Sequence, residues 1–235
     1  MTALVLLPGM MCDAGLWQGV LPQLNVTGPV SCGDLSQGES IEEMATMVLD
    51  RCPPAFVLLG FSMGGFVARE ILRRVPERVK GLALIATSSA ADSPMQANFK
   101  AAMAGKLRLD SGPFRGLSHR AIKLSLSPRH EDNPQLVQQI LDMSLRLGRE
   151  TWIRQLLMAR NSDSHLLSAI RCPTLVVAAA EDRMRSLAES RALCEAIPHA
   201  EFRLVEDSGH MLPLEQPQPL AAILTEWITR CIDCR

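Results

Sequence analysis

The sequence predicts an α/β protein: a doubly wound, mostly parallel sheet of about six strands flanked by helices and broken by one helical insertion. Three observations predict it. Short apolar runs bounded by turn residues recur along the chain, the pattern of strands buried on both faces. Helical segments with capping signals fall between those runs. From about 92 to 170 the strand signal disappears and helical patterns follow one another instead.

Taken in order, Ala3–Leu7 is the first apolar run and Val30–Cys32 a weaker one. Ser40-Ile-Glu-Glu43 has the S-x-x-E form of a capping box and opens a helix to about Arg51. Phe56–Leu59 is the next strand, followed by a helix from Met63 to about Val75, and Leu82–Ala86 is another strand. Helices are expected near 95–107, 117–126, 134–147 and 149–160, separated by Gly, Pro and Ser. Thr174–Ala179 resumes the strands, a second capping box at Ser186–Glu189 opens a helix to about Ile197, and Glu201–Val205 is a last, weaker strand. Pro217 suits the first turn of a closing helix. The expected division is 1–91 with 171–235 as the core and 92–170 as a helical cap.

Composition narrows the function classes. The 235 residues are 47% hydrophobic and 21% charged, enough for one large domain with a sizeable core. A net charge of −1 gives no reason to expect nucleic acid or an anionic membrane surface as partner. The opening MTALVLLPG is too short to span a bilayer and lacks a signal peptide's basic flank, so a cytoplasmic protein is expected. Seven cysteines without a secretory signal read as reduced thiols. Cys231 and Cys234 form a C-x-x-C with no second pair to complete a zinc site, so no metal is expected. The insertion carries eleven basic and seven acidic residues, a surplus of the size common on solvated faces.

In such a sheet ligands gather beyond the C-terminal strand ends. There stands Gly60-Phe-Ser-Met-Gly-Gly65, between a buried strand and a helix. A serine forced into a sharp strand-to-helix turn lifts its hydroxyl clear of the sheet, and Gly60 and Gly64 provide the room. The helix that follows points its positive end at any developing anion. Ser62 is therefore the candidate nucleophile. Its base should be a histidine in a late loop. His119, His130 and His165 fall in the insertion and His199 at a helix end, whereas His210 lies between the last strand and the last helix. Gly209 is expected to free the backbone that presents its ring. The orienting acid should follow Thr174–Ala180, where Glu181 and Asp182 are adjacent. Asp182 is the choice by spacing and shorter arm, with Glu181 as alternative and Asp207 as a brace within the histidine's own loop.

Together these segments resemble the α/β-hydrolase family. GFSMGG is similar to its nucleophile elbow, the stretch from Arg171 to Asp182 to its penultimate strand and acid turn, and Gly209–Pro217 to its histidine loop. The order Ser62, Asp182, His210 matches the family's nucleophile, acid and base. The likeness covers roughly 1–91 and 171–235, closest to small esterases and biotin-pathway carboxylesterases. Two departures stand out. The first strand resembles the family's third, so a sheet without the family's two leading strands is expected, and Pro8-Gly9 replaces the frequent His-Gly, which puts the rigidity of loop 8–13 in question.

The resemblance implies that the Met10 and Met63 amides form the oxyanion hole and that no cofactor is needed. Met11, Trp17, Phe61, Phe66 and Met211 flank these positions and are the expected acyl pocket, its thioethers adapting to loosely defined apolar groups. The expected activity is hydrolysis of a small-molecule carboxylic ester or thioester, free or linked to an acyl carrier, through an acyl-enzyme on Ser62. Carbon–carbon bond hydrolysis and lactone opening on the same triad remain alternatives, as does a low-turnover binding module of this fold.

Overall fold

The computed structural model describes residues 2–233; of the Cys231/Cys234 pair, Cys234 lies outside the described residues. Its six strands, β1 (Ala3–Leu7), β2 (Val30–Cys32), β3 (Phe56–Phe61), β4 (Val79–Ile85), β5 (Thr174–Ala179) and β6 (Glu201–Val205), form one sheet in the order β2-β1-β3-β4-β5-β6. Every pairing is parallel. The order reverses between β1 and β3, so the loops leaving those two strands diverge and open a crevice between them.

Alternation along the strands feeds two apolar layers. Leu4, Leu6, Val57, Leu59, Ala83, Ile85 and Val177 face one side, against Leu220, Leu224 and Trp227 of the last helix, α8 (Pro217–Asp233). Val5, Leu7, Leu58, Leu82, Leu84 and Val176 face the other, against α1 (Ile41–Leu49), α2 (Met63–Arg74) and α6 (Leu187–Ala196). Strands apolar on both faces are thus covered on both faces. No helix among the described residues is long and apolar enough to cross a membrane.

Between β4 and β5 the chain is helical: α3 (Pro94–Leu109), α4 (His119–Ser125), α5 (Pro134–Leu157) and a 3-10 turn over Ser164–Ala169. The two helices expected on either side of residue 148 meet end to end within α5, where Gly148 breaks the helix at φ 80 and ψ 174. The segment packs on the sheet and its loops. Ile122, Leu126, Ile140 and Met143 belong to the same apolar cluster as Phe61 and Met211.

α2 approaches β1 so closely that a Cβ on Gly64 would stand 2.5 Å from both the Leu7 and Pro8 carbonyl oxygens. Backbone has no rotamer with which to escape such a clash. Gly64→Ala is therefore expected to lower stability by about 2–3 kcal/mol, read as a fall in the urea midpoint at unchanged slope.

Candidate active site

Ser62 occupies the turn from β3 into α2 with φ 50 and ψ −114, angles costly for a residue with a Cβ. Neighbours hold it there. Its N–H donates to the Ile85 carbonyl at 2.9 Å, and its carbonyl accepts from the Thr87 hydroxyl at 2.7 Å and the Gly65 amide at 3.0 Å. Glycines make the turn possible: a Cβ on Gly60 would meet the Gly64 oxygen at 2.6 Å, and one on Gly65 the Thr87 hydroxyl at 2.5 Å.

His210 Nε2 lies 2.9 Å from Ser62 Oγ, and its Nδ1 lies 2.8 Å from Asp182 Oδ2. The other Asp182 oxygen accepts from the Met184 and Arg185 amides at 2.7 and 2.8 Å, which leaves Oδ2 directed at the imidazole. Asp182, and not the adjacent Glu181, contacts the histidine; Glu181 uses its amide to bind the Ser208 carbonyl at 2.9 Å. All three side chains are largely buried, Ser62 at 8% and His210 at 5% exposure. Low exposure excludes competing water and strengthens each of these polar contacts. The Phe61 ring packs on the imidazole with centroids 5.2 Å apart.

Loop 8–13 meets the serine turn, a Cβ on Gly9 standing 3.3 Å from Ser62 Cβ, and neither the Met10 nor the Met63 amide donates to a protein acceptor among the described residues. Loop 8–13 is held without a histidine. Met11 N–H donates to Gln155 Oε1 at 2.9 Å, Gln155 Nε2 donates to the Leu35 carbonyl at 3.0 Å, and Cys12 N–H closes onto the Gly9 carbonyl at 3.2 Å. Gln155 comes from α5, 144 residues from Met11, so no local motif announces it.

The histidine loop is fixed by Glu215, whose buried carboxylate accepts from the Gly209 amide at 2.9 Å and the Ser127 amide at 2.8 Å and contacts His130 Nδ1 at 3.1 Å. Gly209 serves close approach, and not the backbone freedom expected of it. A Cβ there would be 2.3 Å from Ser127 N, and its φ is not positive. Asp207, the expected brace, pairs with Arg129 at 3.0 Å. Arg183 reaches from the acid turn to the Lys123 and Leu126 carbonyls. Glu215 closes the short helix Leu212–Glu215, and no local motif announces its reach to Ser127, 88 residues away.

The expected acyl pocket divides. Phe61 and Met211 adjoin His210, in sequence or by ring contact, and Met11 packs with Trp152 and Ile153 of α5. Trp17 has no accessible surface and packs in the same apolar cluster as Phe61 and Met211. Phe66 is corrected. It lies under the Arg69 guanidinium and lines a groove of about 640 Å³ with Ile41, Leu166 and Ile170, whose walls include none of Ser62, Asp182 and His210. The described residues contain no group of three or more His, Cys, Asp or Glu side chains arranged to hold a metal. Burial and Asp13 push the Cys12 thiol up to about 12, so it is protonated and unreactive at neutral pH.

Removing the Glu215 carboxylate would strand two buried amides. Glu215→Ala is expected to cost about 3 kcal/mol of unfolding free energy, with faster amide exchange at Gly209 and Ser127 than at β3 as the local signature.

Comparison with known proteins agrees with this architecture. The protein-family model for the alpha/beta hydrolase fold matches residues 29–217. A protein of Cronobacter sakazakii, named as a proposed carbamate hydrolase, is 27% identical over 172 residues; the match covers 72% of this chain but 63% of that protein, just under two thirds of its length. The pimeloyl-[acyl-carrier protein] methyl ester esterase of Neisseria meningitidis serogroup A is 26% identical over 243 residues, covering 97% of this chain and 77% of that one. Among solved structures, a thermophilic esterase from Thermogutta terrifontis superposes with a TM-score of 0.88 at 25% identity, covering 98% of this chain and 90% of that one. With a family match over most of its length, the chain belongs to the α/β-hydrolase fold family.

Proposed function

We propose that the protein is a serine hydrolase of carboxylic esters, with Ser62 as nucleophile, His210 as general base and acid, and Asp182 as the orienting acid. The observation that carries this reading is the continuous hydrogen-bonded chain Asp182–His210–Ser62 ending at a strained turn. His210 Nε2 takes the hydroxyl proton as Ser62 Oγ bonds to the acyl carbon. Asp182 holds the proton on Nδ1 and stabilises the imidazolium that forms. The free Met10 and Met63 amides donate to the oxyanion, each typically worth about 3–4 kcal/mol in the transition state. The alcohol departs with the proton from His210. Water then attacks the acyl-enzyme with the same base, releasing the acid and restoring Ser62.

Residues 92–170 act in this reading as a cap. Support comes from α4 and α5 sharing an apolar cluster with Phe61 and Met211, and from the Arg183 and Glu215 ties to residues 123–127. A carrier-linked acyl ester is the substrate form favoured by the Neisseria relative's named activity.

The test compares short and medium p-nitrophenyl esters on the wild type and variants. Ser62→Ala is expected to lower kcat by about five orders of magnitude and to abolish labelling by a fluorophosphonate. Asp182→Asn should lower kcat by about 10⁴-fold with the fold retained by circular dichroism. Equal rates in wild type and Ser62→Ala would refute the proposal.

A further inference from the structure

Among the basic side chains Arg160 has an unusual environment. It follows α5 and is only 8% exposed. Its Nε is buried with no partner, and its guanidinium makes no hydrogen bond or ion pair with any described residue. The two terminal nitrogens are less completely enclosed, so their donors face out unused. A desolvated cation without acceptors is costly, and an anionic ligand would offset that cost. Arg69, the other deeply buried arginine of this region, is by contrast engaged by both oxygens of Asp163 and by the Ser88 carbonyl.

The surroundings deepen the deficit of negative charge. Asp92, whose amide donates to the Arg160 carbonyl at 3.2 Å, has its carboxylate engaged by Lys100. Arg185 adds a third cation, balanced loosely by Glu189 at 3.7 Å. Burial pushes the Arg160 guanidinium down to about 10, and Arg185 adds to that effect while Asp92 opposes it. Burial, then Arg160, also hold the Lys100 ammonium below its usual range although Asp92 pairs with it. Three cations thus meet two carboxylates, an excess that one monovalent anion would balance.

This cluster is joined to the active site from two directions. The Arg185 amide donates to Asp182, which holds His210. On the other side, the segment from Thr87 to Asp92 starts on the Ser62 carbonyl and ends on Arg160. We infer that Arg160, with Lys100 and Arg185 beside it, is a subsite for a carboxylate on the substrate, so that the preferred esters carry an acid group remote from the bond that is cleaved. The planar guanidinium fork with two unused terminal nitrogens suits a carboxylate, and the single excess charge suits a monovalent group better than a phosphate dianion. The inference rests on the ester-hydrolase reading and sets free half-esters of dicarboxylic acids in place of the carrier-linked form, whose remote end carries no carboxylate.

The test measures kcat/KM on monomethyl esters of linear dicarboxylic acids and on the matching dimethyl esters, with wild type, Arg160→Gln and Arg160→Lys. The wild type is expected to prefer the monoester, and Arg160→Gln to lose about 100-fold of the monoester-to-diester ratio, chiefly through KM. Arg160→Lys, which keeps charge without the fork, should fall between. Glutarate should inhibit diester hydrolysis competitively in the wild type, a measurement that needs no variant. An unselective wild type, or a ratio unchanged in Arg160→Gln, overturns the inference and leaves the ester-hydrolase reading standing. Stabilisation by glutarate without competition marks a separate anion site and overturns the assignment to the substrate. Hydrolysis of neither ester by the wild type removes both readings.

Discussion

The backbone turn at Ser62 is the constraint on which the rest of the C-terminal sheet edge depends. To stand at φ 50 a serine needs neighbours that over-determine its position, and those neighbours are two backbone groups, the Ile85 carbonyl and the Gly65 amide, with the Thr87 side-chain hydroxyl. The turn closes only because α2 can descend onto the last carbonyls of β1, which Gly64 permits. That descent brings the loop after β1 and the start of α2 together. It leaves the Met10 and Met63 amides without protein acceptors where that loop meets the serine turn. One local strain therefore fixes Ser62 and the start of α2 at once.

Around that turn, charge and close backbone packing replace flexibility. The Glu215 carboxylate binds amides from the histidine loop and from the segment after α4, and the missing Cβ of Gly209 lets those two backbones touch. Arg183 repeats the arrangement from the acid turn, and Gln155 repeats it for loop 8–13. The helical segment between β4 and β5 thus supplies ties to the histidine loop, the acid turn and loop 8–13. Motion of that segment would be felt by the loops of His210 and Asp182 and by loop 8–13 together.

Much of this was legible from pattern. Both-face apolar runs marked the strands, and small residues around Ser62 marked the turn, because those signals are local and backbone sterics enforce them. The order of the three polar loops followed from strand order. What misled was side-chain direction. Phe66 stands near the site in sequence, yet it turns toward a groove behind α2. Neighbourhood along the chain constrains where a Cα goes and says little about which of two faces its side chain takes.

By itself the sequence determined the parallel sheet, the strained serine turn and the set of acid and base candidates, since apolar periodicity and glycine placement act over a few residues. Only the tertiary structure put Asp182 and not Glu181 against His210, joined Gln155 to loop 8–13 and Glu215 to Ser127, and left Arg160 buried without an acceptor. Those outcomes depend on contacts across 28 to 144 residues, where position is set by the summed packing of two apolar layers and by the requirement that buried polar groups find partners.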